Sequence, residues 1–438
     1  MARPVLPTAA RQHWFSAGLL AVYALLLLGG LGWSLKERAI PDMFKVQLRQ
    51  FSDNPVLLNS LLGALPALIS MLVGPLVGAW SDRSRCRLGR HIPFLLACAP
   101  LISLSLVGLA YSRALGLQLW QLAGAAADEQ NYYVLACMCL CWTSYSLFTI
   151  IGNALFIGLI NELVPHAIIG RFFGVLRIVS LAVGVLFFYY CFGNELTSVA
   201  QSIVLGIAGA YLLSFLLVCY GIVRLRARGM LAPAAHQPAL ASGAVPADSH
   251  PDRWTYSLLF VAIAMGAICV LPANINSYHA IGQFAVDFRS YGRTTAAGYA
   301  VSILLAWPIG WLADRYHPVR IGFGAMLVYA VCMLAAWWLV TGPTSYLVWL
   351  FVHVVVAGVF LTGTASLLPL TMPRQQFSSL AALSAALTAL LTVIFSMLLG
   401  YLLDRNGHDY RLVFLAAGLV ALAGAGCWYR LLRTFRRR

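Results

Sequence analysis

The sequence is poor in charge. Only 10% of its 438 residues are Asp, Glu, Lys or Arg, against about 25% in a typical soluble domain, and 61% are hydrophobic. A water-soluble fold is thereby excluded. Lysine is scarcest, present only as Lys36 and Lys45. There is no His/Asp/Glu cluster with metal-ligand spacing, no Gly-x-Ser-x-Gly and no phosphate-cradling glycine loop, which argues against an enzyme, a bound metal and a cofactor. The ten cysteines lie singly in apolar stretches, except Cys137, Cys139 and Cys141, whose alternate spacing spreads them around a helix. Neither a disulfide framework nor a zinc site is indicated.

What the chain has in abundance is long apolar runs. A bilayer core about 30 Å thick needs roughly 20 apolar residues per spanning helix. Such runs, bounded by charges and Pro/Gly breaks, fall near 14–35, 56–81, 93–112, 131–160, 172–193, 201–222, 255–280, 295–313, 319–340, 345–370, 377–402 and 411–430. The expected fold is an all-α membrane protein of about twelve transmembrane helices in two pseudo-symmetric six-helix halves. The first run follows Arg3 and Arg11 as in a signal peptide, but no cleavage site follows it, and it is read as a retained helix.

An even number of spans puts both termini on one face. That face, with the connections after the second, fourth, sixth, eighth and tenth helices, takes all but nine of the 29 basic residues and five of the 14 acidic ones, so the whole formal +15 falls on it. The positive-inside rule makes it cytoplasmic, in a protein expected in the bacterial inner membrane. Topology and anionic lipid account for the basic balance without nucleic acid. The stretch 223–254, rich in Ala and Pro, reads as a flexible linker between halves at 1–222 and 255–438.

Two motifs recur at matching places. Gly78-Ala79-Trp80-Ser81-Asp82-Arg83 closes the second helix and Gly310-Trp311-Leu312-Ala313-Asp314-Arg315 closes the eighth, while Arg171 opens the fifth and Arg374 precedes the eleventh. Weak internal repeats of this kind mark two-half transporters. An aspartate is stabilised at a helix N-terminus and an arginine at a C-terminus. The pattern therefore predicts a cytoplasmic latch, Asp82 toward Arg374 and Asp314 toward Arg171, with Arg83, Arg90 and Arg315 beside it; solvated turn residues are the plainer alternative. A third copy, Gly400 to Arg405, falls on the opposite face.

At these residues the chain resembles the major facilitator superfamily, whose loop between helices 2 and 3 carries Gly-x-x-x-Asp-Arg followed by Gly and basic residues. The longer stretch from Gly74 through Gly89-Arg90-His91-Ile92-Pro93-Phe94 resembles the sucrose-transporter-like branch, close to the glycoside-pentoside-hexuronide:cation symporters. The resemblance implies alternating access, a sugar-type substrate and cation coupling. Melibiose-type members carry acids in helix 2, whereas this chain has none there before Asp82, so protons are expected in preference to sodium.

A midplane site would draw on polar and aromatic residues inside helices. Trp142, Tyr145 and Asn153 in the fourth helix, Asn274, Asn276 and Tyr278 after Pro272 in the seventh, and Tyr299 and Trp307 in the eighth supply the rings, amides and hydroxyls that bind a neutral polyol. Helix packing and interfacial anchoring explain the same residue types. No acid falls well inside a predicted helix; the coupling candidates are His353 in the tenth helix and Glu37 at the end of the first. The stretch Lys36 to Asp42 reads as a loop, either solvated or forming the mouth for a charged solute. The leading expectation is a proton-coupled sugar or glycoside transporter in a lipid bilayer. The alternatives are a permease or exporter for a muropeptide-like or anionic solute, in which Lys36, Arg38 and Arg177 matter, and a non-transporting scaffold.

Overall fold

The structure, a computed structural model, describes residues 17–51, 54–83, 91–192, 196–230, 253–372 and 377–436. Twelve of its helices are long and apolar enough to cross a membrane. The second span begins at Pro55 and the seventh runs on to Ile275; the helices that carry the twelve are α1 (Ala17–Arg49), α2 (Leu65–Arg83), α3 (Ile92–Ala110), α4 (Gln130–Leu163), α5 (His166–Leu186), α6 (Leu196–Ala227), α7 (Arg253–Ile268), α8 (Phe288–Tyr316), α9 (Pro318–Leu339), α10 (Pro343–Thr364), α11 (Phe377–Arg405) and α12 (Arg411–Arg436). The predicted runs correspond to these helices one for one. The linker segment 231–252 lies outside the described residues.

The largest departure is α1. The sequence reading ends the first helix near residue 35 and puts Lys36 to Asp42 in a loop, but the helix continues to Arg49, 33 residues in all. At 1.5 Å per residue it is about 50 Å long, and Glu37 stands only about 6 Å past its midpoint at Trp33. Pro41 lies inside it without ending it. Proline removes only its own N–H, which leaves the Glu37 carbonyl without its usual helical donor. An acid does therefore lie well inside a membrane helix.

Two further breaks matter. Upstream of α2, the helix Pro55–Asn59 passes through a wide π turn at Ser60–Ala64. Pro66 has no N–H to offer the Leu61 carbonyl in that register, and the Trp142 indole N–H donates to it instead at 2.7 Å. After α7 the chain continues as Leu271–Ile275 and Ser277–Gln283, interrupted around Pro272 as the sequence predicts.

Within the first six helices α1 packs on α5 and α6, and α3 on α4 and α6; within the last six α9 packs on α10 and α12, and α8 on α10. The two sets meet along α2–α11 and α5–α8. Close approach at the first seam rests on glycine: a methyl group at Gly400 would stand 3.1 Å from the Val56 Cα, and one at Gly63 would collide with Ser396.

Candidate functional site: a charged cavity between the halves

Between the two sets of helices lies a cavity of about 290 Å³. Gly30, Trp33, Ser34 and Glu37 of α1 and Phe173, Leu176, Arg177 and Ser180 of α5 form most of its wall, with Leu361 and Ala365 at the end of α10 closing the ring. Phe173 belongs to the early turns of α5 and Leu361 to the last turn of α10, so the cavity lies between the helix midpoints and the face from which α1 starts.

The opposite, far face is sealed. Asn59 and Asn276, both fully buried, exchange amide hydrogen bonds of 2.9 and 3.3 Å across the halves, and each also donates to a backbone carbonyl of its own segment, Pro55 and Pro272. Lys45 donates to Asp42 one turn earlier at 2.8 Å and to the Asn274 carbonyl at 2.6 Å, and Arg49 donates to the Tyr278 carbonyl at 3.1 Å. An aromatic cap completes the seal: Phe192 packs against Tyr278, Phe288 and Tyr291, with ring centroids 5.5 to 6.1 Å apart.

The cavity wall and the residues directly behind it differ in kind. Arg38 donates from Nε and Nη2 to the Ser180 hydroxyl at 3.1 and 3.0 Å and from Nη1 to the Tyr299 hydroxyl at 3.3 Å, so neutral oxygens fix its guanidinium. Arg177, one turn before Ser180, has a buried Nε with no hydrogen-bond partner. Lys36 is fully buried, its Nζ 3.3 Å from the centroid of the Trp33 ring and within 6 Å of the Tyr145 and Tyr211 centroids, with no hydrogen-bond acceptor among the described residues. Cation–π contact offsets only part of the cost of burying an ammonium. Glu37 faces the same cavity. Asp42 is committed to Lys45.

The predicted residues are scattered relative to this cavity. Glu37 lines it, and Tyr299 stands behind it, joined through Arg38 to the lining Ser180. Trp142 is buried, its ring stacked 4.1 Å from that of Phe44, and Tyr145 packs beside it. Asn276 and Tyr278 belong to the far seal. Asn153 is exposed on α4 outside the cavity ring, and Trp307 is 83% exposed on the outer surface of α8. His353 is buried, with Nδ1 2.8 Å from the Tyr329 hydroxyl and Nε2 3.2 Å from Asn274 Oδ1. It thereby ties α9 and α10 to the break after α7. Of the latch residues, Arg171 is exposed and Arg315 lies over the Trp311 and Tyr316 rings. Arg90, Arg374 and the side chains of Asp82, Arg83 and Asp314 lie outside the described residues. Sequence reasoning did not place Trp33 or Ser180 in a site. The signal for α1 was available, because the apolar pattern resumes at Met43 and the next turn cluster is Asp53-Asn54-Pro55.

No protein-family model matches the sequence, and no curated protein matches it. Solved structures do. A bacterial homologue of the iron transporter ferroportin, outward-facing with soaked iron, covers 93% of this chain and 98% of its own at TM-score 0.65 and 16% identity. A D-xylose-proton symporter covers 95% and 98% at TM-score 0.65 and 14% identity. The xylose transporter XylE from E. coli, partially occluded and inward-open, covers 94% and 98% at TM-score 0.65 and 17% identity. The chain has the major facilitator fold. In that fold the cavity above lies between the two six-helix halves, with α1 and α5 of the first half facing α10 of the second.

Proposed function

We propose that this protein is a secondary active transporter that carries a small organic solute through the cavity between its halves by alternating access. The observation that carries the reading is the asymmetry of that cavity, set toward the face of the termini and separated from the far face by hydrogen bonds between the halves. A scaffold has no use for a polar cavity at the depth of the helix midpoints, since polar groups there are costly. The excess of arginine on the terminal face supports a cytoplasmic assignment for it. The structure then corresponds to an inward-facing state, and the Asp82–Arg374 and Asp314–Arg171 latch would form in the opposite one.

Proton coupling is assigned to Glu37, a carboxylate on the cavity wall. His353, held by Tyr329 and Asn274, positions the break after α7. A sugar as cargo is supported by the Trp33 ring on the cavity wall and by the likeness in fold to two xylose transporters.

Spin labels at Gln50→Cys and Arg289→Cys, on opposite halves at the far face, test the transport cycle in a cysteine-free background. Two distance populations whose ratio changes with pH and solute are expected. A single distance unmoved by either would indicate a static scaffold.

A further inference from the structure

Resting on the transporter reading, we infer that the cavity is built for an organic anion, a solute carrying a carboxylate or a phosphate. Arg177 lines the cavity and Arg38 stands directly behind it, hydrogen-bonded to the lining Ser180; among the described residues neither forms an ion pair. Arg38 is oriented by Ser180 and Tyr299, which accept its hydrogen bonds without neutralising its charge. Arg177 keeps an unpartnered buried Nε. Behind Trp33, the buried Lys36 amine has no acceptor and is a further donor turned toward this region. Asp42 is only one turn beyond Arg38, but its carboxylate is held by Lys45 at 2.8 Å. That leaves Glu37 to offset two guanidiniums, a net charge of +1 in a membrane-depth, low-dielectric setting. Buried charge of this size calls for a counter-ion, and a planar guanidinium matches the oxygens of a carboxylate or phosphate. A neutral sugar would leave the charge as it stands. A sugar acid or sugar phosphate would satisfy both the arginines and the Trp33 face.

The same arrangement links the proton to the cargo. The charged and titratable groups around Glu37 are Lys36 and Arg38 on α1, Tyr145 on α4, Arg177 on α5 and Tyr299 on α8. Protonating Glu37 removes the negative charge among them, so proton and anion bind better together than apart, and the linkage is reciprocal. Proton–anion symport follows from that coupling.

The test reads the charge of the cavity directly and needs no knowledge of the natural cargo. Ala365→Cys, exposed on the cavity wall, is introduced into a cysteine-free full-length chain in proteoliposomes. It is labelled with two methanethiosulfonate reagents of similar size, one ending in an anionic sulfonate and one in a cationic trimethylammonium. Focusing of the field in a charged cleft should favour the sulfonate reagent by at least about tenfold once the ratio is normalised to free thiol. Arg38→Gln and Arg177→Gln should each reduce the preference, Arg177→Lys should keep it, and Glu37→Gln should increase it. Because each value is a ratio within one preparation, partial misfolding of a variant does not mimic the result. A preference for the cationic reagent, or a ratio indifferent to Arg38 and Arg177, overturns the inference.

Competition then separates the two anion classes. Glucuronate or glucose 6-phosphate should slow labelling at concentrations where glucose does not. Equal protection by glucose, or none by either anion, counts against the inference. The transporter reading fails separately, by an immobile far-face distance.

Discussion

At the far face the amides of Asn59 and Asn276 each find an acceptor in the other and a second in their own backbone. Nearer the middle of the protein, Lys36 Nζ and Arg177 Nε find none. Both regions are polar and both are buried between packed helices. The difference is that the Asn59–Asn276 amide pair is complete by itself and the cations near the cavity are not. Buried amides that pair with one another across the halves hold a single arrangement, which is what a closed gate requires. Unpaired charge is stable only while something outside the chain can pair with it, which is what a binding site requires.

The two lysines put the comparison under the greatest load, because they should respond in opposite directions. Lys45→Met strips Asp42 of its partner and leaves a buried carboxylate exposed to an apolar setting. Breaking a pair of this kind costs about 3 kcal/mol. Lys36→Met removes a buried amine that has no acceptor and keeps the volume, so it should stabilise the ligand-free protein by about 1 kcal/mol. Thermal unfolding in detergent checks both signs. If both variants fall, Lys36 has an acceptor and the contrast between the regions is lost.

Asn59→Ala is next in size. It leaves Asn276 buried with one partner fewer, at about 2 kcal/mol, and this cost falls on the sealed state. The far-face spin-label distance should therefore shift toward its longer population. Asn276→Ala in the same chain should add little more, since the two side chains form one unit. Additive effects would mean the amides act independently and the seal lies elsewhere.

The twelve spans were legible because length and hydropathy are one-dimensional properties, and the break at Pro272 was legible because proline acts locally. The cavity was not. Lys36-Glu37-Arg38 followed by Pro41 has the local signature of a loop, and only the cavity between the halves and the aromatic core behind Trp33 let those charges remain helical. Trp307 and Tyr299 share α8 eight residues apart, yet one points outward and the other meets Arg38, because helix azimuth depends on neighbours rather than on composition. His353 was visible as a polar residue in an apolar run, but its partners Tyr329 and Asn274 come from separate helices.

Trp142→Phe sharpens the sealed side at smaller scale. It keeps the ring against Phe44 but removes the N–H held by the Leu61 carbonyl. In a membrane protein such a bond is worth about 1 kcal/mol, somewhat more where no other donor can replace it. A fall in the unfolding midpoint is expected, with the Lys36 and Lys45 responses unchanged. Restoration by a donor-bearing ring analogue at the same position would assign the loss to the hydrogen bond. A loss that such an analogue leaves in place would assign it to packing.

The smallest effect concerns the entrance to α8, which carries Phe288 and Tyr291 into the aromatic cap. Asp287 caps that helix, its carboxylate accepting the Ser290 amide at 2.8 Å. Hydrogen bonds from the Ser290 hydroxyl and amide hold its carboxyl below the ordinary carboxylate range. Its contribution is therefore present above the unfolded value of about 3.9 and disappears as the pH falls through the lower folded value. Asp287→Ala should cost about 1 kcal/mol at neutral pH and progressively less in acid, while Asp287→Asn should keep most of the cap at every pH. Because the cap belongs to the far seal, neither variant should alter the reagent preference at Ala365→Cys. A change there would mean that the seal and the charged cavity are coupled through α8, and that the two regions cannot be separated as their hydrogen bonding suggests.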